Sequence, residues 1–352
     1  MPMTRFYALV VPGLERVAWR DIRAKLDNVK LIEEGRGRLL FDYPGAPRDL
    51  LFLRSVENVY ILMKSIRGLS QSRKSLGAIF KQTVSADFQT ASMMHKQAHR
   101  SKGKKRLTFR VDSNKLGRHN FRRVDAQKAV EKAIAGRYGW RLDLRNPILE
   151  VRIDLEEDTA LLGLKLSSEI MRNRAYKVIH LPASLKPTVA YCMVLLSKPT
   201  STDIFVDPMC GAGTIPIERA LAGTYKKIVG GDVEESVIRA AKSNVDASRR
   251  SVDLALWNVS AIPLKDRSVD RIVCNLPFGK QMKTRVGNQK LYSNFFREAS
   301  RIARPGARAV VLTSERELMG EIIRRYSSIN MERHLRIDLL GLTAYIYVMN
   351  FR

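Results

Sequence analysis

From Ala190 onward the sequence alternates apolar strands with helical stretches. That alternation restricts the region to a parallel sheet covered on both faces. Strands read at 203–207 (DIFVD), 227–232 (KIVGGD), 254–259 (LALWNV), 271–275 (RIVCN) and 307–313 (ARAVVLT). Helical spacing falls between and after them, at 215–222, 234–248, 291–302 and 315–326. Two last strands, HLRIDLL and AYIYVMNF, flank Gly341-Leu342-Thr343 and are expected to close the sheet as an antiparallel hairpin. Ligands of open α/β sheets bind outside the carboxyl ends of the strands. The strand-end residues are therefore the first candidates for a site.

The first of these strands runs into Asp207-Pro208-Met209-Cys210-Gly211-Ala212-Gly213-Thr214. Gly211 and Gly213 permit a sharp turn and close backbone approach to a ligand. The dinucleotide fingerprint wants a third glycine where this chain has Pro216. Pro216 instead suits the first turn of a helix, where its missing N–H costs little. Asp207 precedes the turn and can meet an ammonium group. Asp232 ends the second strand, nineteen residues after Gly213, with Val233 beside it. A carboxylate there can accept two ribose hydroxyls; it serves equally as a cap for the next helix. The third strand ends on Asn258-Val259, where an amide can meet an adenine edge. Together these strand ends predict a pocket for an adenosine-type ligand.

The fourth strand ends Asn275-Leu276-Pro277-Phe278, 68 residues after Asp207. An exocyclic amine on a base is a poor nucleophile, because its lone pair is delocalised into the ring. Two acceptors aimed at its hydrogens favour a tetrahedral nitrogen, by preorganised dipoles and by orientation. The Asn275 side-chain oxygen and the Leu276 carbonyl are candidates for that pair. Pro277 would hold the turn and Phe278 would stack on the base. Taken alone, the tetrapeptide reads as well as an ordinary strand-ending turn. A base in a helix must first leave its stack, at a few kcal/mol.

Charge points to a polyanionic partner. The 352 residues carry 62 Lys+Arg against 35 Asp+Glu, a net +27, and each neutralised phosphate releases counterions. The excess is concentrated in residues 96–123, with eleven basic side chains and one acid, Asp112. Lys102, Lys104, Lys105, Arg106, Arg118, Arg122 and Arg123 are the candidates for phosphate contact. Residues 280–290 (KQMKTRVGNQK) are basic as well and are expected to cover the substrate base. Cys192, Cys210 and Cys274 have no metal-ligand spacing and cannot all pair, which fits a reducing cytoplasm and structural thiols. No apolar run approaches the ~18 residues of a membrane span, and no cleavable signal pattern is read at the start.

The first part of the chain reads as strand 6–11, helix 14–26, strands 29–34 and 38–43, helix 48–55 and strand 58–66. This β-α-β-β-α-β order suggests a small ferredoxin-like unit at 1–67. The middle, 68–167, has a helix at 76–83, a strand at 106–112, a helix at 124–138, and a hairpin turning at Glu156-Glu157-Asp158. Residues 168–180 read as a linker into the alternating unit, 181–352.

Residues 203–313 resemble an S-adenosylmethionine-dependent amino-methyltransferase. The family signature at the catalytic turn is Asp or Asn, Pro, Pro, then Phe or Tyr. Leu276 stands here for the first proline; it keeps a carbonyl acceptor but not the rigidity of a double proline. HLPASLKPTVAYCMVLL, 180–196, is similar to the segment before the glycine turn in methyltransferases that carry a THUMP domain. That likeness places Ala183, Ser184 and Thr188 near the methionine end of the cofactor. The middle unit, from FRVDSNKLGRHNF onward, looks like THUMP, a domain associated with RNA and, in tRNA modification, with the acceptor end. The three-part order resembles the tRNA guanine-N2 methyltransferases. It implies a Rossmann-fold catalytic domain, S-adenosylmethionine bound by Asp207, Cys210, Gly211, Ala212, Gly213, Thr214, Asp232, Val233, Asn258, Val259 and Asn275, and a tRNA partner. A monomer without metal is expected. The alternatives are an rRNA guanine-N2 or adenine-N6 methyltransferase, and a catalytically silent RNA-binding module.

Overall fold

The computed structural model describes residues 3–100, 106–182, 184–278, 285–339 and 341–352. Lys102, Lys104, Lys105, Ala183 and residues 280–284 of the 280–290 segment therefore lie outside the described residues. The chain divides into two compact units. One takes the chain through Leu9, then Ile22–Leu53 and Asn58–Met171; the other takes Val10–Asp21, Arg54–Glu57 and Arg172–Arg352.

The first unit is built on one eight-stranded sheet. Its strands are β1 (Thr4–Leu9), β2 (Lys30–Gly35), β3 (Arg38–Tyr43), β4 (Asn58–Ile66), β5 (Thr108–Leu116), β6 (Arg141–Leu142), β7 (Leu149–Glu156) and β8 (Thr159–Lys165). The order is β2-β3-β1-β4-β8-β7-β5-β6. The first four strands pair antiparallel in the ferredoxin-like order that the sequence predicts. The helix expected at 48–55 is a 3-10 segment, Pro47–Phe52, with Pro47 starting it. The helix read at 14–26 is α1 (Glu15–Lys25), and the division between the units falls inside it.

Helices α2 (Lys74–Val84), α3 (Phe88–Ala98) and α4 (Arg123–Tyr138) follow β4 and β5. Helix α3 was not expected. Asp87 caps it, its carboxylate accepting from the Thr90 N–H at 3.0 Å. Strand β5 begins two residues later than predicted and runs on to Leu116, pairing parallel with β7 from Phe109 onward. Beyond it Gly117 turns with φ +96°, and a Cβ there would meet the Glu157 carboxylate at 2.8 Å. Sheet residues Phe6, Val59, Phe109 and Val151 and helix residues Ile79, Phe88, Val130 and Ile134 are fully buried.

The second unit is doubly wound, as the alternation predicts. Strands β9 (Ile204–Asp207), β10 (Lys227–Asp232), β11 (Asp253–Leu256), β12 (Val269–Asn275), β13 (Ala303–Thr313), β14 (Ile329–Leu339) and β15 (Leu342–Phe351) form one sheet. Its order is β11-β10-β9-β12-β13-β15-β14. The first five are parallel, and β15 inserts antiparallel between β13 and β14. This is the Rossmann-like arrangement closed by the expected hairpin. The order reverses between β9 and β12, so the loops after these strands open a crevice at the carboxyl edge.

Helices α5 (Glu169–Asn173), α6 (Pro187–Leu196), α7 (Thr214–Ala222), α8 (Glu235–Ser248), α9 (Arg285–Ile302) and α10 (Arg316–Ile323) complete the chain. Helix α5 lies within the stretch read as a linker. Helix α6 starts on Pro187, and nearly all its residues are buried. A helix apolar all round shows no periodic stripe, so its sequence does not announce it. One core layer packs Val189, Met193, Phe205, Val273 and Val310 with Val11, Leu14 and Val17. The other packs Ile272, Val311 and Tyr347 against Tyr292, Phe295 and Met319. Among the described residues no helix is long and apolar enough to cross a membrane.

Candidate functional site

A cavity of about 630 Å³ opens at the carboxyl ends of β9, β10 and β12. Of the residues predicted to bind a cofactor, Ser184, Asp207, Cys210, Gly211, Ala212, Thr214, Asp232 and Asn275 line it, and so does Pro277. Thr188, Gly213, Val233, Asn258, Val259, Leu276 and Phe278 are not among its lining residues. Gly213 caps α7 with φ +78°, a left-handed conformation that glycine takes without strain. Gly211 is left-handed too, at φ +52°.

Asp232 is engaged by backbone N–H groups of the glycine turn and of the approach to α8. One oxygen accepts from the Gly211 N–H at 3.0 Å, pinning the glycine turn. The other accepts from Val233 at 2.8 Å and Glu234 at 3.3 Å, leading into α8. Beneath it, Gly231 carries the indole of Trp257. A Cβ at Gly231 would lie 1.9 Å from Trp257 Cε2, while Trp257 Nε1 donates to the Pro208 carbonyl at 2.9 Å. Asn258 sits beyond the end of β11, because that strand stops at Leu256. Its side-chain oxygen accepts from the Ser260 N–H at 2.9 Å and hydroxyl at 2.8 Å. The Asn258 amide N–H groups therefore remain to meet a ligand.

Asp207 is the buried acid of the cavity, 1% exposed. Burial pushes its carboxyl up to about 8; the nearby Asp232 charge adds to this, and the Met209 N–H and Cys274 thiol oppose it. An uncompensated carboxylate here would be costly, so the site is suited to receive a cation. Cys210 and Cys274 are both buried, and burial raises their thiols well above the usual range. Both therefore stay neutral, in keeping with a packing role.

Asn275 ends β12 with its backbone paired in register to Leu312. Its side-chain oxygen is buried and has no hydrogen-bond partner among the described residues; the same is true of the Ser184 and Thr188 hydroxyls. Such atoms are rare in folded proteins and call for a ligand or water. The Leu276 side chain is fully buried, and its N–H donates to the Leu312 carbonyl at 3.0 Å. A proline at that position could not make this bond. Phe278 is partly buried against the core layer that includes Val273 and Leu312.

The wall formed by Leu181, Pro182, Ser184 and Leu185 is fixed by residues that sequence reasoning missed. Asn244 on α8 donates to the carbonyls of Ala212 at 2.9 Å and Ile179 at 3.1 Å, and accepts from the Ile179 N–H at 2.9 Å. Lys177 donates to the Leu185 carbonyl at 3.1 Å. Glu218 on α7, fully buried, accepts from Arg54 at 2.9 Å, Arg174 at 3.1 Å and the Tyr176 hydroxyl at 2.8 Å. An asparagine or glutamate inside a helix is visible in the sequence, but nothing local marks it as buried.

In the first unit, Arg106, Arg118, Arg122 and Arg123 are exposed. Arg123 is also tied to the Ser113 carbonyl at 3.0 Å. Arg110 is spent on Glu150 at 2.8 Å, and Lys115 on the Phe121 carbonyl at 3.0 Å. Arg122 lies 3.7 Å from Asp125 at the start of α4. The basic stretch thus holds cations tied into the fold beside cations exposed on its surface. Among the described residues no group of three or more His, Cys, Asp or Glu could hold a metal ion.

Two family models match the chain: the THUMP domain over residues 87–165 and the RMKL-like methyltransferase domain over residues 174–343. It is 31% identical over 260 residues to tRNA (guanine(6)-N(2))-methyltransferase THUMP3 of Bos taurus, matching 69% of this chain and 51% of that protein. The chain therefore spans about half the length of that relative. It is 23% identical over 394 residues to tRNA (guanine(6)-N2)-methyltransferase of Methanocaldococcus jannaschii, matching 98% of this chain and 99% of that one. The fold is shared with TrmN from Thermus thermophilus, at a TM-score of 0.84 and 23% identity over 99% of this chain and all of the other. The strand order, the cavity at its carboxyl edge and these matches lead to one conclusion: the chain carries a THUMP domain followed by a methyltransferase domain of the RMKL-like family.

Proposed function

We propose that this chain methylates the exocyclic N2 of a guanosine in tRNA, forming N2-methylguanosine, with the base flipped onto the Asn275-Leu276-Pro277-Phe278 turn. The observation that carries this reading is the buried, unpartnered Asn275 oxygen on the wall of a cavity beside Asp207. S-adenosylmethionine, the methyl donor of this class of domain, supplies an electrophilic methyl group when bound. The residues present fit it. Asp207 would take the ammonium, the Ser184 and Thr188 hydroxyls the methionine end, Asp232 the ribose hydroxyls and Asn258 the adenine edge. Asn275 Oδ1 and the Leu276 carbonyl would accept from the two N2 hydrogens and hold the nitrogen lone pair toward the methyl group. As the N–C bond forms and the donor's S–CH3 bond breaks to leave a neutral thioether, the nitrogen would become cationic and its proton would leave to solvent. Acceptors on that nitrogen stabilise the charge as it develops.

Relatives named for tRNA guanine 6 support a tRNA target, which we place in the acceptor-stem region. The exposed Arg106, Arg118 and Arg122, together with Lys102, Lys104 and Lys105, would position RNA through phosphate without reading sequence. The THUMP match supports this role for the 68–167 unit, beside a ferredoxin-like 1–67 unit, a linker at 168–180 and the catalytic 181–352 unit. We take the enzyme to act as a cytoplasmic monomer.

The test is methyl transfer from labelled S-adenosylmethionine to unmodified tRNA and, separately, to rRNA, followed by nucleoside analysis. Label in N2-methylguanosine from tRNA is expected. Label in N6-methyladenosine, or in rRNA alone, overturns the substrate. The Asn275→Ala variant is expected to lose about 100- to 1,000-fold in kcat while its cofactor Kd stays within about threefold of wild type. Retained turnover in that variant overturns the role of Asn275.

A further inference from the structure

The acceptor turn is held from behind by a chain of hydroxyls. Tyr292 on α9 is fully buried, as is Thr313 at the end of β13. The Tyr292 hydroxyl lies 2.7 Å from the Pro277 carbonyl and 2.6 Å from Thr313 Oγ1. Thr313 Oγ1 in turn lies 3.0 Å from the Glu315 N–H.

Proton inventory fixes the direction of this chain. A carbonyl cannot donate, so the single Tyr292 proton goes to Pro277. Tyr292 oxygen must then accept from the Thr313 hydroxyl, and Thr313 oxygen accepts from the Glu315 N–H. Each hydroxyl donates once and accepts once. Burial raises the Tyr292 phenol well above its ordinary range, so it keeps the proton it donates.

The position of the chain gives it a consequence. The Leu276 carbonyl lies on the peptide between Leu276 and Pro277. On one side, the Leu276 N–H is bonded to Leu312. Pro277 has its φ fixed by its ring. What the ring leaves free is rotation about the Pro277 Cα–C bond, and Tyr292 holds that carbonyl. Leu276 itself has no ring to restrict it, so both flanks must be fixed for its carbonyl to keep its aim.

We propose that Tyr292, oriented by Thr313, is a positioning residue that holds the Leu276 carbonyl and Asn275 in register for the target amine. This rests on the reading of the turn given under Proposed function. It touches neither substrate nor cofactor and acts only through the turn.

The Tyr292→Phe variant keeps the ring in its core and removes one hydroxyl. Its kcat is expected to fall about 10- to 100-fold, a misaligned-acceptor effect, with KM for RNA and cofactor Kd within about threefold. Thr313→Val should give a similar loss, and Thr313→Ser should restore near-wild-type kcat. The double variant Tyr292→Phe/Thr313→Val should be no slower than the slower single, since both break one chain. A kcat per folded molecule that is unchanged in Tyr292→Phe, or losses that multiply in the double variant, overturns the proposal. Amide hydrogen exchange reads the same chain without turnover. Protection of the Leu276 N–H should drop at least about tenfold in Tyr292→Phe, while Val310 and Val311 in β13 keep theirs. Unchanged Leu276 protection overturns the positioning role even if no RNA is ever methylated. Lost protection with wild-type protein inactive on every RNA overturns the substrate reading alone.

Discussion

Asp232 at the end of β10 has both carboxylate oxygens occupied by backbone N–H groups, whereas Asn275 at the end of β12 has a buried side-chain oxygen with no partner among the described residues. The two residues hold equivalent places in one sheet and line one cavity. The contrast extends to their neighbours. Around Asp232, the glycine turn and the Trp257 indole make their hydrogen bonds within the protein. Around Asn275, Ser184 and Thr188 carry unpartnered hydroxyls, and Asp207 is buried without a cation. The first region is held in shape by hydrogen bonds that folding completes before a ligand arrives. The second keeps its polar groups for what binds, and the folded protein bears their desolvation until then.

The largest break in this contrast is expected at Asp207. Its carboxyl titrates near 8 in the folded protein against an ordinary 3.8. Between those values the folded state holds a proton that the unfolded state releases, so stability falls as pH rises from about 4 to about 8. Binding an ammonium group reverses the preference and drives the proton off. Cofactor affinity should therefore climb with pH below about 8, by at most about tenfold per unit, and level off above it. Titration calorimetry in two buffers of different ionisation enthalpy at pH 7 should show close to one proton released. Asp207→Asn should weaken the cofactor about 10- to 100-fold, the worth of a charge-assisted bond. It should also abolish both the proton release and the downward slope of melting temperature with pH. A slope that survives in Asp207→Asn would put the proton on another group.

Asp232→Ala should act in the opposite sense, on the empty protein. Three backbone N–H groups lose their acceptor, as when a helix cap is removed, at a cost of about 0.5–2 kcal/mol. For a unit of this size that lowers the melting temperature of the cofactor-free protein by a few degrees. If Asp232→Ala melts like wild type while losing cofactor, the glycine turn is held by something else and the contrast with Asn275 collapses.

Much of this site can be read from sequence because its chemistry is tied to strand ends. Asp207, Gly211, Gly213, Asp232 and Asn275 follow recognisable apolar runs, and the parallel alternation puts all those ends on one edge. The resemblance then adds Ser184 and Thr188, which no spacing predicts. Asn258 is misjudged by two residues of strand: β11 stops at Leu256, and the amide turns on Ser260 instead of pointing straight off the sheet. Helix α3 has a readable signal in Asp87 three residues before Thr90, hidden by the basic stretch that follows. Helix α6 has none, being buried all round. Asn244 and Tyr292 are illegible for a different reason. Their partners lie 32 to 65 and 15 to 21 residues away, and only the folded sheet brings them together.

The smallest expected effect separates the two regions most cleanly. Ser184→Ala removes a hydroxyl that has no partner among the described residues, so none of them is left unpaired. Deleting an unsatisfied buried polar atom relieves a desolvation penalty. The cofactor-free protein should melt at the wild-type temperature or slightly above. The hydroxyl acquires its value only when the methionine end of a cofactor meets it, as one neutral hydrogen bond of about 0.5–1.5 kcal/mol. Cofactor affinity should therefore fall about two- to tenfold, with kcat at saturation nearly unchanged. A drop in melting temperature without change in affinity would place Ser184 with Asp232, among the groups finished by folding. The opposite pairing, affinity lost and stability kept, ties the orphaned atoms of this cavity to a ligand rather than to an imperfection of packing.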